Sequence, residues 1–321
     1  MLEATIPRLV ERGLALAVVK HDAHGFQVDR EGKDSDRLFR AGATVALRGP
    51  QEQFQRRAGW AALSLEATLA ELSRDHDLVL VEGNKETPLP KLWMGDQEGA
   101  SPPVSVVGLQ AILPWDSDRV GEFLSFLDGW LPRAWRERPI YLGLRLGAAH
   151  GDTKRNAQGA ADPAVGLAEI LGSGYAGSGY ERLVALGGNA QQAPARATWL
   201  APPPDFRPLP EDDDPAALGV HLIAAHRWAP PAAWIVVEEH LCAVARAAWE
   251  WLSSFRRPGT WAVLPRKSDG GACLALSLYE PQALTWLERR ALAGETPGAA
   301  IAALVGNPRT VSPELPPELR S

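Results

Sequence analysis

The chain has 321 residues, 45% of them hydrophobic and 22% charged, the composition of a water-soluble globular protein with room for two domains of about 150 residues each. A formal net charge of −6 supplies no general attraction to phosphate backbones and argues against a nucleic-acid role, and no apolar run approaches the roughly 18 residues a membrane span requires. Cys242 and Cys273 stand in no metal-ligand spacing, which argues against a zinc site or a disulfide framework and leaves them as packing residues.

The first expected element is an amphipathic helix, in which Leu2, Ile6, Leu9 and Val10 recur at helical spacing and Gly13 supplies the stop. Glu3 and Glu11 are unlike the basic start of a signal peptide, so the cytoplasm is the expected compartment. LALAVVK follows as a buried parallel strand. After it comes KHDAHGFQVDREGKDSDRLFRAGA, residues 20–43, with two histidines and four aspartates. A helical stretch from Ser64 to Leu72 leads to a second strand, DLVLVEG. Strand, helix and strand at these intervals give an open α/β sheet, whose ligands gather at the carboxyl ends of the strands. Both the His/Asp-rich loop and Glu82-Gly83 fall at such ends.

GDQEGASPP at 95–103 interrupts the pattern, VSVVGLQAIL and a helix from Ser117 to Leu131 close the first unit, and residues 132–139, with three arginines, read as a linker. The second half opens on the strand IYLGLRLG, then a Gly-rich region, GSGYAGSGY, a strand near LVALGG and a Pro/acidic loop, APPPDFRPLPEDDDP. GSGYAGSGY lacks the Lys-Ser/Thr that meets phosphate and metal, and reads as a flexible loop. A helix through HLIAAHRW, the strand AAWIVVEEH, a Trp-rich helix from Arg246 to Phe255, the strands TWAVLPR and CLALSLYE, and helices to the end complete a second α/β domain. The twelve tryptophans imply generous aromatic core or interface area.

In the loop, the imidazoles of His21 and His24 suit divalent metals, Lys33 beside Gly32 can meet a phosphate, and Asp29 or Asp34 can hold a metal directly or through water. The same residues also fit a solvated loop in which Asp and Gly only shape turns. Glu82 has the same two readings, an exposed strand end or a metal- and water-positioning carboxylate.

VVKHDAHGFQVDREGKDSDRLFRAGA followed by DLVLVEGNKETPLPK resembles the molybdopterin-guanine dinucleotide biosynthesis adaptor proteins, the MobB family of P-loop GTP-binding proteins, over about residues 2–130. The resemblance implies a P-loop NTPase-like open parallel sheet over residues 1–133, with GTP and Mg²⁺ as ligands and at most weak GTPase activity. It also implies an accessory role in assembling the guanine-dinucleotide form of the molybdenum cofactor. His21, Asp22, His24, Asp29, Gly32, Lys33, Asp34 and Ser35 then form the signature loop, Glu82 and Gly83 the Walker-B-like strand end, and Asp34 and Glu82 the Mg²⁺ ligands. The implied partners are the molybdenum cofactor guanylyltransferase or molybdoenzyme maturation factors, and a homodimer is compatible. In the family's order a strand and a Gly-x-x-x-x-Gly-Lys-Ser/Thr loop precede the first helix, whereas these residues start inside that helix. Two expectations follow: the phosphate loop lies upstream of Met1, or the nucleotide site has been lost.

Residues 139–321 are similar, more faintly, to the molybdenum cofactor guanylyltransferase (MobA-like) family, through AAHRWAPPAAWIVV, RRPGTWAVLPR and ALSLYEPQALTWLERRALAGE. This implies a second, Rossmann-like α/β domain of nucleotidyltransferase type with molybdopterin as a candidate ligand. Its chemical motifs depart from the family. Ala148 and Ala149 stand where paired glycines let backbone approach phosphate, and His240, preceded by Glu238 and Glu239, stands near the expected metal-binding Asp. Lys154 and Arg155 are the basic residues of that loop. Glu238, Glu239 and His240 could hold a metal, but a degenerate, non-transferring domain is the expectation. Two functions remain open: a GTP-binding adaptor with weak GTPase activity, and a non-catalytic scaffold in molybdoenzyme maturation with both nucleotide sites lost.

Overall fold

The computed structural model describes residues 1–20, 30–57, 64–95, 101–114, 116–146, 183–193, 197–206 and 215–319. Along the chain the elements are α1 (Leu2–Glu11), β1 (Leu16–Lys20), α2 (Asp34–Arg40), β2 (Val45–Arg48), β3 (Gln53–Arg56), α3 (Leu65–Leu72), β4 (Leu78–Glu82), β5 (Lys91–Met94), β6 (Leu109–Leu113), α4 (Arg119–Glu137), β7 (Ile140–Arg145), β8 (Leu183–Leu186) and β9 (Thr198–Leu200). They continue with α5 (Pro215–Trp228), β10 (Ala233–Glu238), α6 (Ala245–Ser254), β11 (Ala262–Val263), β12 (Leu276–Tyr279), α7 (Pro281–Leu292), α8 (Pro297–Val305) and β13 (Thr310–Val311). Two compact units result: residues 1–16, 73–77 and 117–321 form one, and residues 17–72 and 78–116 the other.

The larger unit is built on a seven-stranded sheet in the order β13-β11-β12-β10-β7-β8-β9. β7 pairs in parallel with both β8 and β10, β9 runs parallel to β8, and β12 pairs antiparallel with β10 and β11. Alternation along β10 explains the layering, since successive side chains of a strand point to opposite faces. Ile235 and Val237 pack on one face with Leu142, Leu144, Leu278 and the α6 residues Ala245, Ala248 and Leu252. Trp234 and Val236 pack on the other with Leu218 and Leu222 of α5, Leu284 of α7 and Ile301 of α8. The aromatic content is partly spent here, where Tyr141, Trp228 and Trp234 meet at ring-centroid distances of 5.2 to 6.2 Å. Cys273 is buried and free, in line with a packing role; the side chain of Cys242 lies outside the described residues.

The smaller unit has a different construction. Its described strands pair two by two, β1 with β4, β2 with β3 as an antiparallel hairpin, and β5 with β6 in parallel. The expected fully buried strand LALAVVK is therefore only half-buried, with Val18 exposed. A strand is sealed on both faces when helices cover an extended sheet, and among the described residues β1 has β4 as its ladder partner.

Three further expectations are corrected. The linker at 132–139 is mostly the end of α4, which runs to Glu137 through Pro132. Phe123, Leu124, Leu127, Leu131 and Trp135 continue one buried stripe across the proline. Burying Trp135, with the Arg138 guanidinium 3.6 Å from its ring centroid, offsets the hydrogen bond that Pro132 cannot make. The strand VSVVGLQAIL is confined to its second half, because Gly108 bends the chain at φ +76° and a Cβ there would lie 2.4 Å from the Leu89 carbonyl oxygen. The C-terminal helices are followed by a two-residue strand, β13, too short to show a sequence period.

Candidate functional site

In the smaller unit the candidate residues fall in two groups, the paired ends of β1 and β4 and, separately, the turn that starts α2. Lys20 closes β1 and Glu82 closes β4, and their side chains form an exposed ion pair at 3.5 Å. The sequence places Glu82 and the start of the His/Asp loop at strand ends; the fold sets those two ends side by side. After Glu82 the backbone turns through left-handed conformations at Gly83 (φ +96°) and Asn84 (φ +55°), which glycine and asparagine tolerate best. Lys91 pins this loop from below, its ammonium donating to the carbonyl oxygens of Leu89 at 3.2 Å, Val107 at 2.9 Å and Thr87.

His21, Asp22, His24 and Asp29 lie outside the described residues. The rest of the signature loop is described. Gly32 adopts φ +80°, Lys33 caps α2 through its backbone, and Asp34 and Ser35 occupy the first helical turn. Asp34 is 97% exposed at its side chain and lies 3.9 Å from Arg37. An exposed carboxylate at this turn is free to meet a cation, and it also suits the positive end of the short helix.

The residue that organises this loop is Asp36, which stands outside the motif. Its buried carboxylate accepts hydrogen bonds from the Gly32 N–H at 3.0 Å, Arg40 Nε at 2.8 Å and Arg56 Nη1 at 3.0 Å. The backbone donor at Gly32, then the Arg56 and Arg40 guanidiniums, hold its pKa down at about 2 against the opposing effect of burial. Arg56 in turn lies 3.8 Å over the Phe39 ring, tying α2 to the β2–β3 hairpin. The available signal was the i,i+4 pairing of Asp36 with Arg40 beside a glycine.

A second group lies in the larger unit, at the carboxyl ends of β7 and β10. These strands are neighbours, with β8 leaving on one side and β12 on the other, so the crevice where strand order reverses opens between them. Arg145 and Glu238, register partners at those ends, form a charge-assisted hydrogen bond of 2.7 Å. His240 follows in a short 3₁₀ turn, 63% exposed, with Nδ1 3.5 Å from Glu238 Oε2. Ala148, Ala149, Lys154 and Arg155 lie outside the described residues. The three-ligand reading of Glu238, Glu239 and His240 is corrected: among the described residues no group of three or more His, Cys, Asp or Glu side chains is arranged to hold a metal. The cause is local, since Glu238 is already engaged by Arg145. Among the described residues no helix is long and apolar enough to cross a membrane.

Residues 1–113 match the family model described as Molybdopterin guanine dinucleotide synthesis protein B. A molybdopterin-guanine dinucleotide biosynthesis adapter protein of Haemophilus influenzae is 32% identical over 150 residues, covering 41% of this chain and 81% of the relative. The adapter protein of Escherichia coli is 31% identical over 102 residues, covering 29% of this chain and 55% of that protein. The crystal structure of Bacillus subtilis MobB aligns at 25% identity over 39% of this chain and 86% of that one, with a TM-score of 0.29. By the extent and identity of the Haemophilus match, together with the family model over its N-terminal residues, the chain belongs to the molybdopterin-guanine dinucleotide synthesis protein B family.

Proposed function

We propose that the chain is an accessory adaptor in assembly of the guanine-dinucleotide form of the molybdenum cofactor, handling Mg²⁺-GTP at the carboxyl ends of β1 and β4. The observation that carries this reading is the juxtaposition of Lys20 and Glu82 at those two strand ends, within the family-matched residues. The residue types suit the ligand: Asp34 and Glu82 would offer the carboxylate oxygens that Mg²⁺ prefers, and Lys33 a point charge for phosphate. Bound Mg²⁺-GTP would supply a polarised phosphate chain. The protein's part is to hold Glu82 beside Lys20 and to keep the Gly32–Asp34 turn fixed through Asp36. Its partner is a guanylyltransferase or molybdoenzyme maturation factor, its compartment the cytoplasm, and its hydrolytic activity at most weak.

The larger unit is read as a nucleotidyltransferase-type domain that has ceased to transfer. The reversal of strand order between β7 and β10 supports the first half of that reading, and the engagement of Glu238 by Arg145 supports the second. The same engagement, which bears on one nucleotide site, is also compatible with a second reading, a scaffold that has lost both. Calorimetric titration of Mg²⁺-GTP separates the two, applied to this chain and to the chain extended upstream in its own gene. Saturable heat that Glu82→Gln reduces about tenfold or more in affinity, with no change in melting temperature, supports the adaptor. Absence of binding in both proteins overturns it in favour of the scaffold.

A further inference from the structure

Three ion pairs connect short stretches of the family-matched region to residues far along the chain, and one centres on a buried carboxylate. Asp77, at the entry to β4, is buried. It accepts from the Ala15 N–H at 2.8 Å, from Arg309 Nη1 at 2.8 Å and from Trp261 Nε1 at 3.3 Å, while its own N–H donates to the Ala15 carbonyl at 2.7 Å. The Arg309 guanidinium lies 4.8 Å from the Trp261 ring centroid, so the two donors form one preorganised receptor for a carboxylate. Next to it the His76 carbonyl accepts from the buried Gln282 side chain at 3.1 Å, and Asp75 pairs with Arg289 at 2.6 Å. At the other stretch, Arg12 pairs with Asp128 at 2.6 Å, and Thr5 and Leu9 of α1 are fully buried. The Gly13 carbonyl lies in ordinary van der Waals reach of Gly259, where a Cβ would stand 3.4 Å from its oxygen.

We infer that residues 1–16 and 73–77 are a docking surface whose partner is the chain's own C-terminal part, residues 117–319, and that Asp77 is its anchor. The contacts have the composition of an interface, matched charges and hydrogen bonds beside the buried Thr5 and Leu9. Asp75 and Asp77 meet Arg289 and Arg309, while Arg12 meets Asp128, so the charge pattern is complementary in both directions. This goes beyond the adaptor reading by naming a partner held in cis, and it stands whether or not a nucleotide binds.

The test uses the full chain with a protease site inserted after Pro114, cut quantitatively and passed over a sizing column at micromolar concentration. The two pieces are expected to travel together at the 34.6 kDa of the intact chain. Asp77→Asn and Arg309→Met are each expected to weaken that association by about tenfold or more. Should Asp77→Asn fail to fold in the uncut chain, Arg309→Met leaves the Asp77–Ala15 exchange intact and carries the test, read beside the near-ultraviolet dichroism of the uncut variant. Pieces of the unsubstituted chain that separate at micromolar concentration overturn the inference. So does a cut Arg309→Met protein that holds together as tightly as the original.

Discussion

The seven-stranded sheet and the strand pairs of residues 17–116 answer the same problem, hiding apolar strand surface, in opposite ways. In the first, Val184 on β8, Val236 on β10 and Leu278 on β12 are completely buried, because helices cover both faces and each of these strands has a neighbour on either side. In the second, Val18, Leu47, Met94 and Ile112 are 42% to 49% exposed, and order depends on charge instead: Asp36 with two arginines, Lys91 within a ring of carbonyls, Lys20 with Glu82. Stability is stored in the sealed sheet, ligand chemistry in the exposed strand pairs. Segments with few buried apolar contacts open most easily, and binding loops are drawn from them.

The largest effect is expected where the sheet unit commits a fully buried ion pair, Arg256 with Glu280. Arg256 donates to both oxygens of Glu280, at 2.6 and 3.2 Å, and both side chains are essentially inaccessible. Glu280→Ala strands the guanidinium and is expected to cost about 3–5 kcal/mol in urea unfolding, while the double change Arg256→Met/Glu280→Leu is expected to recover most of it. A loss under about 1 kcal/mol for the single change would mean that this unit is less tightly sealed than its geometry implies.

Acid separates the regions next. Burial pushes His226 down to about 4, with Arg74 and Arg227 in the same direction and Glu288 and Asp75 against it. An unfolded histidine binds its proton near 6.5, so the neutral folded ring contributes stability that is complete above that pH and lost as pH falls toward 4, on the order of 3 kcal/mol. His226→Gln is expected to flatten the unfolding free energy between those values. Asp36 acts lower. Its depressed pKa contributes stability above the unfolded carboxylate value of about 3.9, lost as pH falls through about 2. Protection of the Gly32 amide, relative to its intrinsic exchange rate, is therefore expected to persist at pH 5 and to be lost below pH 3. Asp36→Asn is expected to bring that loss of protection to neutral pH without altering protection in β10.

The two regions also differed in how much of them could be read from residues alone. In the sheet unit, uninterrupted apolar runs such as IYLGLR and AWIVVE marked β7 and β10, because strands buried on both faces need no polar alternation. The continuation of α4 past Pro132 was legible in the spacing of Leu131 and Trp135 but was masked by the proline itself. In the smaller unit the motif residues were visible, yet the pairing of strand ends that sets Lys20 beside Glu82 depends on long-range topology, which no local pattern encodes. Asp36 was missed for a related reason. An aspartate two positions after Asp34 looks like another solvated charge until Arg56, from a different element, is folded over it.

The smallest expected effect is at His240, and its smallness is the point. Exposed and touching Glu238 only at 3.5 Å, the imidazole contributes little to the fold, so His240→Ala is expected to change stability by less than about 0.5 kcal/mol. Nucleotidyl transfer needs oxygen ligands to hold a hard cation against the developing charge, and losing such a stabilising group typically costs about 10² or more in rate. At this strand end the Glu238 carboxylate is taken by Arg145 at 2.7 Å, its other partner is the His240 imidazole, and Glu239 is an exposed carboxylate with neither as partner. The intact chain with molybdopterin, GTP and Mg²⁺ is therefore expected to release no pyrophosphate above background, with or without His240. Turnover by the unsubstituted chain that His240→Ala abolishes would reverse the comparison, making the sealed sheet the seat of catalysis and the loosely packed strand pairs its accessory.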